Sequence, residues 1–399
     1  MKMADDTPPE MDTVGSASFY QADLFVNDTY DPARNQTVDI PALMLEQSPF
    51  LVSLNGYASP VLVLITIVTN TLVCLVLLQS KMRTPTNVLL VAIATSDMLT
   101  GVWPLPCFVY FYTLGNYRDW VPHSWCFAYY YLTEYLPTIF HTASIWLTVA
   151  LAIQRYIYVC HALRARELCT IPNFVKVIFG VYVAAFVSQA SRFFESRYMA
   201  VELASIVHPD ETVSGCVTQL VHFVQENTNA YFNVYYWFRV IFIHLVPCTS
   251  LVVLNGLLID AMKTATRRRE QLLKQNRRSE CRRLAESNCT TLMLVHVVGV
   301  FLLVEFPLAI LFIVLIIQNT FDLSLISKSS GQIATWFINL FILLSYPINF
   351  FIYCSMSRQF RATFKEMFCI GQKPSDVEQT RYVSMMTTKS PKMAEETCL

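Results

Sequence analysis

Ionisable side chains lie inside otherwise apolar stretches of this 399-residue sequence, and they are the residues best suited to do chemistry. The most informative are Asp97, Glu134, His141, Arg155, Arg239 and Glu305. A charge inside a membrane helix costs about 2.5–3.5 kcal/mol on insertion scales, so each one requires a partner or a function. Carboxylate oxygens can hold a hard cation, an acid can pair with an imidazole, and a guanidinium can bind the carbonyl groups of a ligand.

Seven long apolar stretches must position these residues. They run at roughly 57–79, 86–112, 127–159, 174–196, 233–260, 288–317 and 333–355. A helix of about 20 mostly apolar residues crosses the roughly 30 Å of hydrocarbon in a bilayer. Because lipid offers no partner for peptide groups, each stretch must be helical. The predicted fold is therefore an all-α membrane protein: a seven-transmembrane helix bundle with a short amphipathic eighth helix.

Basic residues are distributed unevenly about these spans. Of the 29 lysines and arginines, five lie on the N-terminal side, 22 lie on the other side, and Arg192 and Arg239 lie within spans. Basic residues near spans stay in the cytoplasm, so we predict a multi-pass plasma-membrane protein with its N-terminus outside and its C-terminus inside. No basic region with a following apolar core precedes the first span, so no cleavable signal peptide is expected.

The chain divides into four predicted segments. These are an extracellular, glycosylated and largely disordered arm at 1–52, the bundle at 53–356, an amphipathic membrane-surface helix at 357–369 and a disordered cytoplasmic tail at 370–399. Asn27 and Asn35 begin glycosylation sequons, and Cys369 is a palmitoylation candidate. Hydroxyl residues of the tail are candidate phosphorylation sites for arrestin recruitment, and the C-terminal Thr-Cys-Leu resembles a PDZ-binding end.

Two cysteines fall clearly in outside segments. Cys126 lies just before span three, and Cys216 lies in the long loop between spans four and five. An outside pair without competitors predicts a disulfide that holds this loop over span three. The alternative is two free thiols in an oxidising compartment.

Local motifs occur in order along the seven stretches. They are Asn70, the run NVLLVAIATSD ending at Asp97, Ala143-Ser144, Gln154-Arg155-Tyr156, Pro247, Pro307 and the run from Asn349 to Tyr353. Together they resemble the rhodopsin-like (class A) G-protein-coupled receptors over about 57–368. The resemblance implies that activation and G-protein coupling use Arg155, Tyr156, Pro307, Asn349 and Tyr353.

Departures from that pattern narrow the resemblance. Gln154 stands where an acid is usual, Glu305 where a tryptophan is usual, and Phe350 where a proline is usual. Span four lacks its usual tryptophan, and Cys126 lies about one helical turn further from Arg155 than is typical. The combination is similar to the insect family of sex peptide or myoinhibitory peptide receptors. That family implies an agonist with an amidated C-terminus and spaced tryptophans, and an inhibitory-class G protein; the alternative is another amidated peptide, such as an FMRFamide-like one.

The buried charges then acquire expected roles. We expect Asp97, Ser144, Ser345 and Asn349 to form an allosteric Na⁺ site, the alternative being a carboxylate satisfied by water and hydroxyls. Apart from this possible Na⁺ no cofactor is expected. Arg155 follows Gln154 and so lacks the acidic neighbour that is usual in the family. Appreciable basal activity is therefore predicted, the alternative being that a residue on another helix, such as Glu286, restrains Arg155.

Six residues are predicted to line the ligand site. They are Tyr131, Glu134, His141, Trp237, Arg239 and Glu305. A contact between Glu305 and His141 is proposed to replace the aromatic switch of the family, the alternative being a protonated Glu305 bonded to a backbone carbonyl. Snorkelling to the interface is the alternative for Glu134 and Arg239, and an aromatic belt position is the alternative for Tyr131 and Trp237.

Other function classes are poorly supported. A retinal pigment requires a lysine in span seven, and none lies between Lys328 and Lys365. The sequence lacks the paired broken spans typical of transporters and the HExxH, GxSxG and glycine-rich phosphate motifs of enzymes. Basic, helix-favouring residues in the third inside loop predict extensions of spans five and six, whose opening near Pro307 would admit a G protein. Membrane lipids are expected partners, and nucleic acid is not.

Overall fold

The computed structural model contains the predicted bundle of long apolar helices. It describes residues 26–31, 36–40, 45, 48–208, 210–275, 277–321, 323, 325–326 and 328–368. Within these ranges seven helices are long and apolar enough to cross a membrane: Pro49–Leu77, Pro85–Thr113, His123–Cys160, Ile171–Phe193, Ala230–Leu272, Thr291–Gln318 and Ile333–Met356. We call them spans one to seven, and they confirm the predicted fold class.

Local sequence explains how the spans begin. Proline occupies the first turn of several of them, where its missing N–H costs nothing because no helical acceptor faces it. At span two the Thr84 hydroxyl accepts a hydrogen bond from the Asn87 amide at 3.2 Å and caps the helix. On the side opposite the N-terminus, the helices that contain spans five and six continue as Val246–Lys274 and Arg278–Phe321, so the predicted extensions are confirmed.

Four spans contain a stretch of π-helix. These stretches are Leu54–Ala58, Phe108–Thr113, Tyr131–Tyr135 and Arg239–Leu245. A π-helical turn accommodates an additional residue, so the side chains beyond it point in directions different from those of an uninterrupted α-helix. The stretch in span three lies between Cys126 and Arg155 and therefore takes up part of the unusual spacing noted in the sequence. π-Bulges often occur at functional sites, and these lie toward the end of the bundle that carries the disulfide.

A β-hairpin that we did not predict covers this end of the bundle. Strand β3 (Ser196–Ala204) pairs antiparallel with β4 (Thr212–Leu220), with Ala200 opposite Cys216. The predicted disulfide joins Cys126 to Cys216, with 5.4 Å between the Cα atoms. The Cys216 amide also donates to the Val121 carbonyl at 2.9 Å. The hairpin is therefore attached covalently to span three and by a backbone hydrogen bond to the loop that precedes it.

The loop between spans two and three supports the hairpin from below. The Trp120 indole donates to the Ala204 carbonyl at 3.1 Å, and its ring packs in a small cluster with Leu203 and Val217. Partial burial of Asp119 opposes ionisation, but hydrogen bonds from Ser205, Ile206 and Trp120 outweigh it and hold the pKa of this carboxyl below its usual value. This connection keeps the hairpin at a fixed height over the bundle.

Part of the N-terminal arm, which was predicted to be largely disordered, forms a short hairpin. Strand β1 (Val26–Asp31) pairs antiparallel with β2 (Gln36–Ile40), and the first helix begins at Pro49, inside the predicted arm. β-Branched residues are frequent in both strands, which favours extended pairing. Asn27 lies on β1. Asn35, Cys369 and the tail with its predicted arrestin and PDZ sites lie outside the described residues.

The predicted amphipathic helix follows span seven as Arg358–Phe368. Phe360 is buried, and its ring centroid lies 6.2 Å from that of Phe350 and 6.3 Å from that of Phe364. Phe350, which stands where the family usually has a proline, thus anchors this helix to the bundle. Its position on a membrane surface stays a prediction.

Candidate functional site

Polar residues of spans two, three and seven meet around Asp97 in the bundle interior. The Ser144 hydroxyl donates to Asp97 Oδ1 at 2.6 Å, and the Asn349 side chain also hydrogen-bonds this carboxylate. Beside them lies a small cavity of about 30 Å³, which Ser345 also lines. A cavity of this size is large enough for a water molecule or a small ion, since one water requires roughly 10–15 Å³ of such volume. The geometry therefore brings together all four residues of the predicted Na⁺ site.

A second polar cluster is centred on Glu305 of span six. His141 Nε2 of span three lies 3.1 Å from Glu305 Oε1, and His244 Nδ1 of span five lies 3.3 Å from Glu305 Oε2. All three side chains are at least 96% buried. The predicted contact with His141 is thus present in the structure. One acid placed between two imidazoles reduces the desolvation cost of all three groups and joins three helices.

His244 was missed by the sequence analysis, although a histidine within an apolar run is itself a signal. Its ring centroid also lies 5.4 Å from that of Phe312. On its other side the cluster continues into span seven, because His141 Nδ1 lies 3.1 Å from the Tyr346 hydroxyl. His141 and Glu305 both line the cavity beside Asp97. The Asp97 and Glu305 clusters therefore form one polar chain across the bundle, which we call the central polar chain.

A third cluster of charges lies nearer the hairpin. The Arg192 guanidinium at the end of span four pairs with both Glu134 of span three and Glu195. Tyr231 donates to Glu195 Oε2 at 3.1 Å, and the Arg192 Cζ lies 5.5 Å from the Tyr135 ring centroid. We call Glu134, Arg192 and Glu195 the charged triad. Neither Arg192 nor Glu195 was predicted to have this role.

The triad changes the interpretation of Glu134. This side chain is 93% buried, so the snorkelling alternative is excluded. Its carboxylate accepts a hydrogen bond from Arg192, a partner that the sequence analysis did not predict. An isolated buried carboxylate would be very costly, and the guanidinium offsets that cost. Glu134 is thus first a structural partner of span four.

The carboxyl of Glu195 lies just beyond span four and has a raised pKa. Burial and the nearby negative charge of Glu134 outweigh the opposing effect of Arg192 and raise the pKa of Glu195 to about 7. In the unfolded chain this carboxyl titrates near 4.5. Folding therefore favours the protonated form, and the resulting stabilisation is fully present below the unfolded pKa and is lost as pH rises through about 7.

We accordingly expect the unfolding temperature of the purified protein to fall between pH 6 and pH 8. Glu195→Gln should reduce this dependence, because the amide cannot ionise, whereas Glu202→Gln, at an exposed position on the hairpin, should leave it unchanged. Differential scanning fluorimetry in detergent at the two pH values measures the effect. An equal pH dependence in wild type and Glu195→Gln would contradict the assignment.

The remaining predicted ligand residues fall into different surroundings. The Arg239 Cζ lies 4.9 Å from the Phe312 ring centroid and the side chain is buried, which excludes snorkelling. The half-buried Tyr131 ring stacks on Phe127 at 3.8 Å between centroids. Trp237 is 39% exposed on the outer face of span five, which favours the aromatic-belt alternative over a place inside the ligand site.

At the opposite end of the bundle, the coupling residues lie around Arg155. Among the described side chains no carboxylate forms an ion pair with Arg155, and the side chain of Glu286 lies outside them. The neighbouring Gln154 amide is fully buried and makes no hydrogen bond within the described part of the chain. Tyr353 is buried and packs on the amphipathic helix, with 5.8 Å between its ring centroid and that of Phe360.

Two further positions complete this end. Tyr156 makes an edge contact with His161, with 5.5 Å between ring centroids. Pro307 lies within the span-six helix, two residues after Glu305. A proline inside a helix removes one backbone hydrogen bond and allows a bend there. The central polar chain is therefore attached to span six at a point where this helix can pivot.

Comparison with known proteins agrees with this architecture. Residues 57–371 match the family described as the serpentine-type 7TM GPCR chemoreceptor Srw. The sex peptide receptor of Drosophila melanogaster is 42% identical over 351 residues, 88% of this chain and 80% of that protein. The sex peptide receptor-related protein 2 of Caenorhabditis elegans is 35% identical over 332 residues, 81% of this chain and 73% of that protein. The FMRFamide receptor of Drosophila melanogaster is 27% identical over 318 residues, 75% of this chain and 51% of that protein.

Proposed function

Since this chain belongs to the serpentine seven-transmembrane G-protein-coupled receptor family, we propose that it binds an amidated neuropeptide and activates an inhibitory-class heterotrimeric G protein. The observation that carries the ligand class is the 42% identity with the Drosophila melanogaster sex peptide receptor over 88% of the chain. The family consists of multi-pass plasma-membrane receptors and not of enzymes, as the sequence predicted, while the outside position of the N-terminus is part of the proposal. The peptide is proposed to bind outside, at the end of the bundle that carries the hairpin.

The geometry of that end supports a peptide ligand. The core of this half of the bundle is rich in aromatic side chains, among them Tyr129, Tyr130, Tyr235, Tyr236 and Trp336. Aromatic pairs contribute about 0.5–1.5 kcal/mol beyond area burial, so the tryptophans of a peptide would gain free energy by packing against rings of this cluster. Arg239 and Glu305 are polar groups lying deeper in the bundle. Tyr131, Glu134 and His141 remain proposed contacts, with Glu134 acting through the charged triad, whereas Trp237 is proposed to lie in the aromatic belt.

Transmission to the other end is proposed to run through the central polar chain. Movement of span six about Pro307 would separate Glu305 from His141 and His244 and open the face around Arg155. Tyr156, Asn349 and Tyr353 are then proposed to rearrange with the G protein. Because Gln154 stands beside Arg155 where the family usually has an acid, we propose appreciable basal activity, the alternative being that Glu286 restrains Arg155. Arrestin, membrane lipids at Arg358–Phe368 and a PDZ protein at the C-terminus are further proposed partners, together with glycosylation at Asn27 and Asn35 and palmitoylation at Cys369.

Sodium is proposed to act on the cavity beside Asp97. Its oxygen ligands suit a hard cation, and the cation would supply positive charge next to a buried carboxylate. Replacing the choline chloride of the buffer by sodium chloride at constant ionic strength is expected to weaken agonist binding to wild type by about fivefold or more, in line with typical allosteric couplings. Asp97→Asn should be insensitive to this exchange.

Radioligand binding to membranes measures the sodium effect. Asp260→Asn is a suitable control, because this carboxylate is exposed at the far end of span five, and it should behave as wild type. Equal sodium dependence in wild type and Asp97→Asn would contradict the site.

A peptide screen tests the proposed function. Cells expressing the receptor are exposed to amidated peptides with spaced tryptophans, to the same peptides as free acids, and to FMRFamide-like peptides, and forskolin-stimulated cAMP is recorded. The amidated tryptophan peptides should lower cAMP in a pertussis-toxin-sensitive manner, and the free acids should be much weaker. A response confined to FMRFamide-like peptides would favour the second candidate, to which the 27% identity with the FMRFamide receptor points. A rise in cAMP would contradict the inhibitory class.

A further inference from the structure

Arg155 has no acidic neighbour at position 154, so its resting position depends on other contacts. The Gln154 amide does not hold it, because this amide is fully buried and makes no hydrogen bond within the described part of the chain. The Arg155 side chain is partly buried, and its Nε likewise makes no hydrogen bond to a described residue. A desolvated guanidinium needs partners to offset the cost of burial. The groups that lie around Arg155 therefore decide how firmly it is held.

One of these groups is an aromatic ring on the same helix. The Arg155 Cζ lies 5.9 Å from the ring centroid of Tyr158, which is three residues further along the helix Leu136–Cys160. Residues three apart on a helix are neighbours on its surface. A guanidinium within about 6 Å of an aromatic ring is attracted to its π-electrons. This contact draws the guanidinium toward the end of span three, where the loop to span four begins.

The loop between spans three and four is itself packed against span three. It forms a short helix, Ala162–Leu168, and the following Cys169 amide donates to the Ala165 carbonyl at 3.0 Å. Ala165 and Cys169 are both buried, and they belong to the same apolar cluster as Leu147 and Leu151 of span three. Packing of these side chains holds the loop on the helix that carries Arg155, and it holds Cys169 in a defined place.

That place is beside Arg155 and Tyr158. The charge state of Cys169 influences the ionisation of both side chains, which requires that the three groups lie close together. Burial raises the pKa of the Cys169 thiol and outweighs the opposing effect of the Arg155 charge. The thiol is therefore neutral near pH 7. A ring and a neutral thiol hold a guanidinium less firmly than a carboxylate would, which agrees with the proposed basal activity.

We propose that Tyr158 and Cys169 are positioning residues that hold Arg155 in the resting receptor, in place of the missing acid. Separation of Arg155 from this pair would accompany opening of the face to which the G protein binds. The restraint lies within span three and the loop that follows it, so it differs from an ion pair to Glu286 on the helix of span six. The inference rests on the proposed G-protein coupling, but not on the identity of the peptide.

A charge placed at position 169 tests the contact with Arg155. Full-length receptor in nanodiscs is mixed with a purified inhibitory-class G protein, and uptake of a non-hydrolysable GTP analogue is followed without peptide. Cys169→Asp places a carboxylate beside the guanidinium and should lower uptake by about threefold, the effect of a modest ion pair. Cys169→Asn has nearly the same shape without the charge and should change uptake much less. Cys160→Asp, at an exposed cysteine near the end of span three, should behave as wild type.

Removal of the ring tests the contact with Tyr158. Tyr158→Leu should raise uptake without peptide by about threefold to tenfold, the range expected for a partly desolvated cation–π contact. Tyr158→Phe keeps the ring and should restore the wild-type rate. The maximal rate with an amidated tryptophan-containing peptide shows whether each variant is folded and able to couple. If Tyr158→Leu fails that control, the comparison of Cys169→Asp with Cys169→Asn still decides the question.

Equal uptake in Cys169→Asp and Cys169→Asn, or unchanged uptake in a folded Tyr158→Leu, would overturn this assignment. A rise in Glu286→Gln with none in Tyr158→Leu would overturn it in favour of a restraint by Glu286. No exchange by the wild-type receptor, with or without peptide, would instead contradict the proposed G-protein coupling on which the inference rests.

Discussion

Replacing Arg192 by leucine is expected to destabilise the receptor by about 3–5 kcal/mol, because the Glu134 carboxylate and the ionised form of Glu195 would remain buried without their guanidinium partner. Glu134 and Glu195 are 93% and 96% buried, and both are paired with Arg192. Span four makes limited contact with the rest of the bundle, since only 11% of its most apolar segment is buried. The ion cluster therefore contributes strongly to the attachment of this helix. Thermal unfolding of the solubilised protein and its surface expression in cells both measure the loss.

Rescue separates this explanation from a general packing defect. Arg192→Leu combined with Glu134→Gln and Glu195→Gln should recover most of the lost stability, because no uncompensated charge is then buried. Arg197→Leu, at an exposed position on the hairpin, should leave stability unchanged. If the triple variant were no more stable than Arg192→Leu alone, the charge of the triad would not be the cause.

Glu305→Gln is expected to raise basal signalling and to lower the agonist concentration for half-maximal response, each by about tenfold. The amide retains one hydrogen-bond acceptor but loses the charge that strengthens both contacts to histidine, and charge-assisted hydrogen bonds are roughly twice as strong as neutral ones. A loss of about 1.4 kcal/mol from the arrangement that ties spans three, five and six together shifts the equilibrium tenfold toward the opened state. Concentration–response curves for cAMP inhibition at matched expression measure both changes.

A double-mutant cycle identifies the partners of Glu305. His244→Asn alone should act in the same direction, and adding it to Glu305→Gln should produce much less than the sum of the two single effects, because the contact is already weakened. Glu202→Gln, exposed on strand β3, is a control for a change of charge elsewhere. Wild-type potency, efficacy and basal signalling in Glu305→Gln would mean that the cluster is not a switch.

The sequence alone predicts the frame of this receptor well, because its strongest signals are local. A stretch of about 20 mostly apolar residues predicts a membrane helix, and the two outside cysteines had no competitors. Asp97, Ser144, Ser345 and Asn349 were expected to meet, and the structure brings them together around one cavity. These predictions require only knowing which helix carries a residue and roughly how far along that helix it lies. Both follow from the order of the seven apolar stretches in the sequence.

The missed features depend on helix rotation and on the path of loops. The polar residues His244 and Arg192 can be recognised in the sequence, but their partners cannot. The partners depend on the direction in which each side chain points, and each π-helical stretch changes that direction for the residues beyond it. Successive residues on a helix differ by about 100° in direction, which is why Tyr236 is buried while Trp237 faces outward. The hairpin at Ser196–Leu220 lies in a loop for which the sequence predicted no strand.

Guanine-nucleotide exchange with purified components tests the central claim most directly. Receptor in nanodiscs is mixed with a purified inhibitory-class heterotrimeric G protein, and uptake of a non-hydrolysable GTP analogue is followed with and without an amidated tryptophan-containing peptide. We predict that the peptide accelerates uptake, that its free acid does so far less, and that Glu305→Gln shows higher uptake without peptide. Exchange that remains at the receptor-free rate with every amidated peptide tested, in a preparation with its Cys126–Cys216 disulfide intact, would contradict the proposed function.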